Sequence, residues 1–188
     1  MIRIALLGQI GSGKTFVSKC FRYPLFNADQ IVNQIYKKNK KCFKKLNKKF
    51  PNNITKFPIT NSQLRNILTK KNIRIISKIV HPYVRSHLRK FLKINKSVKF
   101  VVLDIPLFLE NKLNKKSDIL IYVKTPKKII YKRLKKRDNF NKKIIYILKS
   151  QQIEISKKMR LSQFIINNSY GKRNILKQIK KIKDKINA

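Results

Sequence analysis

Residues 8–15 have the types and spacing of a loop that binds phosphate. They follow the apolar run Ile2–Leu7 and fit the pattern G-x-x-x-x-G-K-[ST], with a strand predicted before them and a helix after them. Glycines permit a backbone in which several N–H groups point at one phosphate, and the helix predicted from about Lys14 to Phe21 adds its positive end. Lys14 is expected to reach the β- and γ-phosphates of a nucleotide, and the Thr15 hydroxyl to bind Mg²⁺. In order, the loop residues are Gly8, Gln9, Ile10, Gly11, Ser12, Gly13, Lys14 and Thr15.

The distribution of glycine strengthens this interpretation. The chain has only four glycines, and Gly8, Gly11 and Gly13 are three of them. The alternative is a chance β-turn at the end of a strand. The pattern, its context and the clustering together favour the phosphate loop.

Two acids follow short apolar stretches that are predicted to be strands. Asp29 comes after Leu25–Asn27, and Asp104 ends the run that starts at Phe100. Ligands bind at the carboxyl ends of strands in parallel α/β sheets, so we expect Asp29 to be catalytic and Asp104 to lie on the Mg²⁺ side. Either acid could also cap the element that follows it, and for Asp29 both roles are compatible. With seven acids in the whole chain, those retained are enriched for roles that lysine cannot fill.

Arg133 and Arg137 are four residues apart in a basic segment, Lys127–Arg137, that is predicted to be helical. They would share one face of the helix, and two arginines on a lid could neutralise a phosphoryl group during its transfer. In so basic a chain the pair is weak evidence by itself. Arginine is nevertheless rare here beside lysine, and the two are not interchangeable at phosphate sites.

Length and composition limit the possible classes of protein. A chain of 188 residues is long enough for one domain with a real core, and no run of 18 apolar residues predicts a membrane span. The first residues lead directly into the loop, which argues against a cleaved signal peptide. Cys20 and Cys42 have neither metal-ligand spacing nor a disulfide framework, so a reducing cytoplasm is expected.

The net charge of +41, from 48 basic and 7 acidic residues, invites a nucleic-acid interpretation. The lysines are spread over the whole length, however, and the excess of Lys, Asn and Ile is what an A+T-rich genome would encode. No RNA-binding motif or aromatic-interleaved basic patch is found. We therefore expect no specific nucleic-acid partner, although nonspecific adhesion to polyanions at low salt is expected.

The elements predicted around these residues form an α/β fold with a five-stranded parallel sheet. Dense Lys and Asn with helical periodicity predict a helical insertion, and the last strand and helix follow near the end of the chain. The helical pieces expected in the insertion are 30–47, 62–68 and 73–92. The expected domains are a nucleotide-binding core (1–32, 98–130 and 150–188), a helical substrate domain (33–97) and a lid (131–149).

Six motifs in this order resemble the dephospho-CoA kinase family. They are GQIGSGKT, NAD (27–29), IVHP (79–82), VVLDIPLFLEN (101–111), KRLKKRD (132–138) and a late Gln151 followed by Asn167-Asn168. The resemblance covers nearly the whole chain. It implies a three-layer P-loop NTPase fold with a helical substrate-binding insertion and a helical lid.

The resemblance also implies a reaction, the transfer of the γ-phosphoryl group of ATP to the ribose 3′-hydroxyl of dephospho-CoA, which gives CoA and ADP. Asp29 would orient or deprotonate that hydroxyl, and Asp104 would assist at Mg²⁺. Arg133 and Arg137 would close over the phosphates. The CoA-side domain would include His81, Pro82 and Arg85. The segment near adenine would be Asn168 to Gly171.

The chain departs from the family pattern at several positions. Gln9 stands where a glycine is usual, Asn27 replaces the first aspartate of the DAD motif, and the late glycine is displaced to Gly171. Taken alone, His81 before a proline could be a surface turn residue. The rival functions are a kinase of similar architecture acting on a nucleoside monophosphate or a shikimate-like acceptor, and a nucleic-acid-binding NTPase. A monomer is the favoured oligomeric state.

Overall fold

The computed structural model describes residues 1–136, 141–169 and 171–187. They form two compact units, a sheet unit of residues 1–27 and 95–188 and a helical unit of residues 28–94. The strands are β1 (Ile2–Leu7), β2 (Leu25–Asn27), β3 (Phe100–Asp104), β4 (Ile119–Lys124) and β5 (Phe164–Asn167). The helices of the sheet unit are α1 (Lys14–Cys20), α6 (Lys127–Lys135), α7 (Lys142–Lys149), α8 (Ile155–Arg160) and α9 (Gly171–Asn187); those of the helical unit are α2 (Ala28–Lys38), α3 (Lys40–Lys49), α4 (Asn61–Asn66) and α5 (Lys70–Ile94).

The five strands form one parallel sheet in the order β2-β3-β1-β4-β5, which confirms the predicted fold class. β1 and β3 are almost entirely buried, as expected for strands that are covered on both faces. In the register, Ala5 pairs with Leu103 and Asn27 pairs with Asp104. The carboxyl ends of β1, β2 and β3 therefore meet along one edge of the sheet, the edge at which the phosphate loop begins.

The sheet unit has a hydrophobic core formed by the sheet, α1 and α9. α1 contributes Val17, and α9 contributes Ile175 and Ile179; their side chains are at most 3% exposed. This packing fixes α1 against the strands that lead into and flank the loop. The start of α1 is therefore held in place behind the phosphate loop.

The helical unit has a core of its own, in which α2, α3 and α5 contact each other. The single helix predicted over residues 30–47 is wrong, because the chain breaks at Asn39. The Asn39 side chain accepts a hydrogen bond of 2.8 Å from the Cys42 N–H and so begins a new helix, α3. The buried core residues are Ile35, Cys42, Leu46, Ile54, Ile59, Ile67, Ile76 and Val80.

Three further expectations need correction. Asp29 lies inside the first turn of α2 and not at its N-cap, because the helix begins at Ala28. His81 and Pro82 lie within α5, which excludes the surface-turn interpretation. Gln151 and Gln152, which sequence periodicity places on a helix after the lid, lie instead in the turn between α7 and α8. None of the described helices combines the length and apolarity that a membrane-spanning segment requires.

Candidate active site

The phosphate loop connects β1 to α1 and depends on glycine at two positions. Gly11 and Gly13 have φ angles of 83° and 84°, in the left-handed region, and Gly13 is the N-cap of α1. A Cβ on Gly13 would lie 3.0 Å from a guanidinium nitrogen of Arg133 and would clash with the amide of Asn168. The loop can therefore approach these two side chains only because it has no side chain there.

Among the described residues, one buried polar atom of the loop has no hydrogen-bond partner. Ser12 is 1% exposed, and its Oγ is that atom. Buried hydroxyls are normally satisfied, so an orphaned one in a glycine-rich loop indicates a place for a hydrogen-bonding ligand. Together with the backbone conformation, this atom fits the loop to a phosphate group.

The Ser12 carbonyl, in contrast, accepts hydrogen bonds from three side chains. The Thr125 hydroxyl donates at 2.9 Å, the Arg133 guanidinium at 3.1 Å and the Asn168 amide at 2.7 Å. These donors follow β4, lie on α6 and follow β5, respectively. Three separate elements of the sheet unit therefore fix the backbone of the loop at one peptide group.

Arg133 and Asn168 also contact each other. The guanidinium donates to the Asn168 side-chain oxygen at 3.3 Å, and Asn168 is 3% exposed. The Asn168 side chain, expected on the adenine side, is thus engaged with the phosphate loop and with Arg133. The predicted partner of Arg133, Arg137, lies outside the described residues.

Asp104 lies at the carboxyl end of β3 and accepts two hydrogen bonds on one oxygen. The Thr15 hydroxyl donates at 2.5 Å and the Asn27 amide at 2.9 Å. Asn27 stands where the family pattern has an aspartate, and its amide supplies a hydrogen where a second carboxylate would repel Asp104. The structure therefore brings together the two residues predicted to bind Mg²⁺, Thr15 and Asp104.

The donor set at this position suits Mg²⁺. A hydroxyl and a carboxylate are hard oxygen ligands, and the described residues include no cluster of three His, Cys, Asp or Glu side chains that could hold a metal ion. Mg²⁺ commonly takes one or two protein ligands and completes its octahedron with water and substrate phosphates. Thr15 and Asp104 fit that mode of binding.

Lys14 points into the loop. Its ammonium group donates to the carbonyls of Gly8 at 3.3 Å and of Gln9 at 3.4 Å. These are long hydrogen bonds to neutral acceptors. An anionic phosphate oxygen would be a stronger partner for the same ammonium group.

The predicted acceptor residues belong to the helical unit. Asp29 is separated from β2 by Ala28 alone. His81 is half-buried on α5; burial and the Arg85 guanidinium, one turn further along the helix, lower the pKa of its imidazole. His81 is therefore biased toward its neutral form, whereas Pro82 and Arg85 are exposed.

The helical unit also contains an open cleft of about 440 Å³. Its lining includes Lys38, Lys40, Lys41 and His87, none of which was singled out from the sequence. The basic lining suits an acceptor that carries phosphate groups. In a chain so rich in lysine, no sequence signal distinguishes these lysines from the others.

Sequence reasoning also missed Thr125 and Gln152. Thr125 directly follows β4, so the argument used for Asp104, a polar residue at the carboxyl end of a buried strand, could have found it. The Gln152 amide donates to the Gly8 carbonyl at 3.5 Å across 144 residues of chain, a contact that no local pattern announces.

Comparisons with known proteins extend over nearly the whole chain. The family model for dephospho-CoA kinase matches residues 2–174. A dephospho-CoA kinase of Wolbachia pipientis wMel is 32% identical over 195 residues, which cover 98% of this chain and 97% of that protein. Among solved structures, TT1252 from Thermus thermophilus matches with a TM-score of 0.79 at 21% identity, covering 98% of this chain and 97% of that one. Dephospho-CoA kinase from Campylobacter jejuni matches with a TM-score of 0.63 at 22% identity, covering 98% and 96%.

Proposed function

The chain belongs to the dephospho-CoA kinase family, and on that premise we propose which of its residues carry out the reaction. The family catalyses the final step of coenzyme A synthesis, in which ATP phosphorylates the ribose 3′-hydroxyl of dephospho-CoA. The observation that carries the assignment is the hydrogen bond of 2.5 Å between Thr15 and Asp104. It joins the phosphate loop to an acid at the end of the neighbouring strand, at the sheet edge where α/β proteins bind ligands.

The phosphate loop binds the triphosphate of ATP. The loop N–H groups and the Ser12 hydroxyl donate to phosphate oxygens, and the Lys14 ammonium exchanges its carbonyl contacts for the β- and γ-phosphates. Support comes from the left-handed glycines, the orphaned Ser12 Oγ and the position of the Lys14 Nζ atom. Lys14 then neutralises charge on the transferring group, where removing one such donor typically costs roughly 10²–10³ in turnover.

Thr15 and Asp104 hold Mg²⁺. Mg²⁺ held by these two residues would neutralise charge on the triphosphate and so favour transfer of the γ-phosphoryl group. Asn27 keeps the Asp104 carboxylate oriented by donating to it. Asp104 acts directly or through a water molecule, and in both cases it supplies the negative charge that the site requires.

Asp29 acts on the acceptor. Its carboxylate accepts the proton of the 3′-hydroxyl as that oxygen attacks the γ-phosphorus and ADP leaves. The resemblance supports the assignment, because Asp29 is the acid of the DAD motif that this chain retains. His81, Pro82 and Arg85 contribute to binding dephospho-CoA in the helical unit, and the basic cleft supports a phosphate-bearing acceptor there.

Arg133 and Arg137 close over the transferring phosphoryl group, as part of a lid formed by residues 131–149. The hydrogen bonds that Arg133 donates to the Ser12 carbonyl and to the Asn168 side chain support this role, because they keep its guanidinium beside the loop. Closure also excludes water, which would otherwise hydrolyse ATP without an acceptor. The part of Arg137 rests on its position in the motif alone.

Three further properties belong to the same proposal. The protein acts in the cytoplasm, consistent with two free cysteines among its described residues, Cys20 and Cys42. It works as a monomer. Its charge of +41 reflects codon usage and serves no specific nucleic-acid partner.

A coupled assay of ADP release tests the proposed reaction. With Mg²⁺ and ATP at moderate salt, ADP release should depend on dephospho-CoA and should be matched by formation of CoA. Shikimate and nucleoside monophosphates, offered in its place, should give no more ADP than the assay without acceptor. ATP turnover that is independent of dephospho-CoA would contradict the proposal.

A Mg²⁺ titration tests the proposed metal ligands. Asp104→Asn removes the charge but keeps the shape, so half-maximal activity should require about tenfold or more Mg²⁺. Asp118→Asn is the matched control, since Asp118 is a buried acid of the same unit that pairs with Arg3. An unchanged Mg²⁺ requirement in Asp104→Asn would remove Asp104 from the metal site.

A further inference from the structure

Glu110 and Lys158 form a buried ion pair in the sheet unit. The Lys158 Nζ atom lies 2.7 Å from Glu110 Oε1, and the two side chains are 5% and 10% exposed. Of all lysines whose exposure the structure describes, Lys158 is the only buried one. A buried ammonium must be paired, because the loss of its water is otherwise uncompensated. The pair therefore holds the Glu110 carboxylate at a defined position.

The same carboxylate oxygen holds the chain segment that follows α7. The Ile153 N–H donates to Glu110 Oε1 at 3.1 Å. The preceding residue, Gln152, donates from its side-chain amide to the Gly8 carbonyl at 3.5 Å. One acid thus fixes the backbone beside the residue that contacts the first glycine of the phosphate loop.

The Gly8 carbonyl is shared between Gln152 and Lys14. Lys14 donates to it at 3.3 Å, similar to the distance from Gln152. When the Lys14 ammonium turns to a phosphate, Gln152 can keep this carbonyl satisfied, so the lysine leaves without creating an unpaired polar group. Gln152 thereby lowers the cost of moving Lys14 to the nucleotide.

The backbone around Glu110 is held in a strained conformation. Leu107 and Lys112 have φ angles of 57° and 52°, which are uncommon for residues other than glycine. The Asn111 amide ties the segment by donating to the Leu107 carbonyl at 2.9 Å. Such strain persists only where the surroundings fix the backbone, and it is found preferentially near functional sites.

We propose that Glu110 is a positioning residue of the nucleotide site. It anchors Ile153 and Lys158 so that the Gln152 amide holds the Gly8 carbonyl, which releases Lys14 for the nucleotide phosphates. The inference rests on the proposed function only in assigning Lys14 to those phosphates. Its consequence is an effect on nucleotide affinity that does not extend to the affinity for dephospho-CoA.

Binding of Mg²⁺-ADP to the full chain, measured by calorimetry, tests the inference without turnover. Gln152→Met keeps the size and removes the amide, and Glu110→Gln removes the charge that holds Ile153 and Lys158. Each variant should raise the ADP dissociation constant about threefold to tenfold, the usual range for one lost hydrogen bond. The KM for dephospho-CoA should stay within about twofold of wild type.

Asp118→Asn is the matched control for stability. Asp118 is buried, pairs with Arg3 and accepts a hydrogen bond from the Lys115 N–H, so its contacts are of the same kind as those of Glu110. It directly precedes β4 and so lies at the amino ends of the strands, whereas the phosphate loop begins at the carboxyl end of β1. It should lower the unfolding temperature without changing the ADP dissociation constant. If Glu110→Gln lowers the unfolding temperature in the same way and leaves ADP affinity unchanged, Glu110 is merely structural and the proposal is overturned.

The double variant Glu110→Gln, Gln152→Met separates positioning from an independent effect. If Glu110 acts through Gln152, the double variant should bind ADP no more weakly than Gln152→Met alone. Additive losses would overturn the proposal. Unchanged ADP affinity in Gln152→Met would also overturn the proposal. This variant leaves the Glu110–Lys158 ion pair intact, so it remains informative if Glu110→Gln does not fold. Absence of any turnover with dephospho-CoA would contradict the proposed function but would leave these binding ratios interpretable.

Discussion

At the scale of single residues, Lys14 and Asp29 carry the largest proposed catalytic effects. Lys14→Ala removes a positive charge from the phosphate loop, and turnover should fall by roughly 10²–10³-fold. Asp29→Asn removes the proposed base and should cost roughly 10²–10⁴-fold. The coupled ADP assay measures both.

Circular dichroism should give the wild-type spectrum for both variants, because Lys14 is only half-buried and Asp29 is exposed. Near-normal turnover in either variant would exclude that residue from the mechanism.

Residue types and spacing were sufficient to predict that Thr15 and Asp104 would meet. Both residues belong to local patterns, a phosphate loop and a buried strand that ends in an acid, and parallel pairing brings the two together. The contacts of the Ser12 carbonyl could not be predicted in the same way. Arg133 and Asn168 were expected at the nucleotide and Thr125 follows a buried strand, but these donors lie between 113 and 156 residues away in the chain. No local pattern shows that all three side chains meet at one peptide group.

At the scale of elements, the junction between the loop and α1 can be tested with a pair of glycines. Gly13 and Gly171 have similar left-handed φ angles of 84° and 76°, but only Gly13 is crowded. Gly171→Ala should lower the free energy of unfolding by about 1–2 kcal/mol through backbone strain alone. Gly13→Ala should cost more than Gly171→Ala, because the methyl group must displace Arg133 and Asn168.

Chemical denaturation of both variants measures the difference in the free energy of unfolding. Calorimetry with Mg²⁺-ADP should in addition show weaker binding to Gly13→Ala than to wild type. Equal stability losses in the two variants would show that the contacts of Gly13 with Arg133 and Asn168 are not tight.

α5 makes the stability of the helical unit depend on pH. Burial and the neighbouring Arg85 lower the pKa of His81 in the folded state. At a pH near 6.5, the ordinary pKa of histidine, the unfolded chain therefore binds more protons than the folded chain. The contribution of His81 to the free energy of unfolding is fully present above that pH and is lost as the pH falls through it toward the folded pKa. His81→Gln should flatten this dependence.

Thermal unfolding between about pH 7.5 and about pH 5.5 measures this effect. His87→Gln is the matched control, since His87 is the other histidine of the chain and is exposed on the same helix. A wild-type slope in His81→Gln would assign the pH dependence to other groups.

Helical periodicity predicted the existence of the helical elements better than their ends. The break at Asn39 was missed because the lysine-rich turns on both sides of it have the same helical periodicity. The cap that starts α3 is a single side-chain hydrogen bond and does not change that periodicity. Pro82 suggested a turn when taken alone. α5 nevertheless continues through it, because Ile76, Val80 and Leu88 bury one face of the helix on both sides of the proline.

At the scale of the whole molecule, the charge of +41 predicts binding to polyanions that depends on salt and not on sequence. Anisotropy with two unrelated DNA duplexes should give equal affinities, which fall by roughly 10³-fold or more between about 50 and 200 mM salt. DNA added to the kinase assay should lower turnover at about 50 mM salt, and this inhibition should disappear by about 200 mM salt. Preference for one duplex, retained near physiological salt, would instead indicate a specific nucleic-acid function.

The separate cores of the two units have a consequence for hydrogen exchange. The chain passes from one unit to the other only after Asn27 and after Ile94, and each unit buries its own apolar side chains. Amide protons in two such units can open with different free energies, and a ligand slows exchange in the unit whose opening it opposes. ADP should therefore protect the amides of α1, and dephospho-CoA those of α2 and α5. Exchange mass spectrometry would then report donor and acceptor as two distinguishable footprints along one chain.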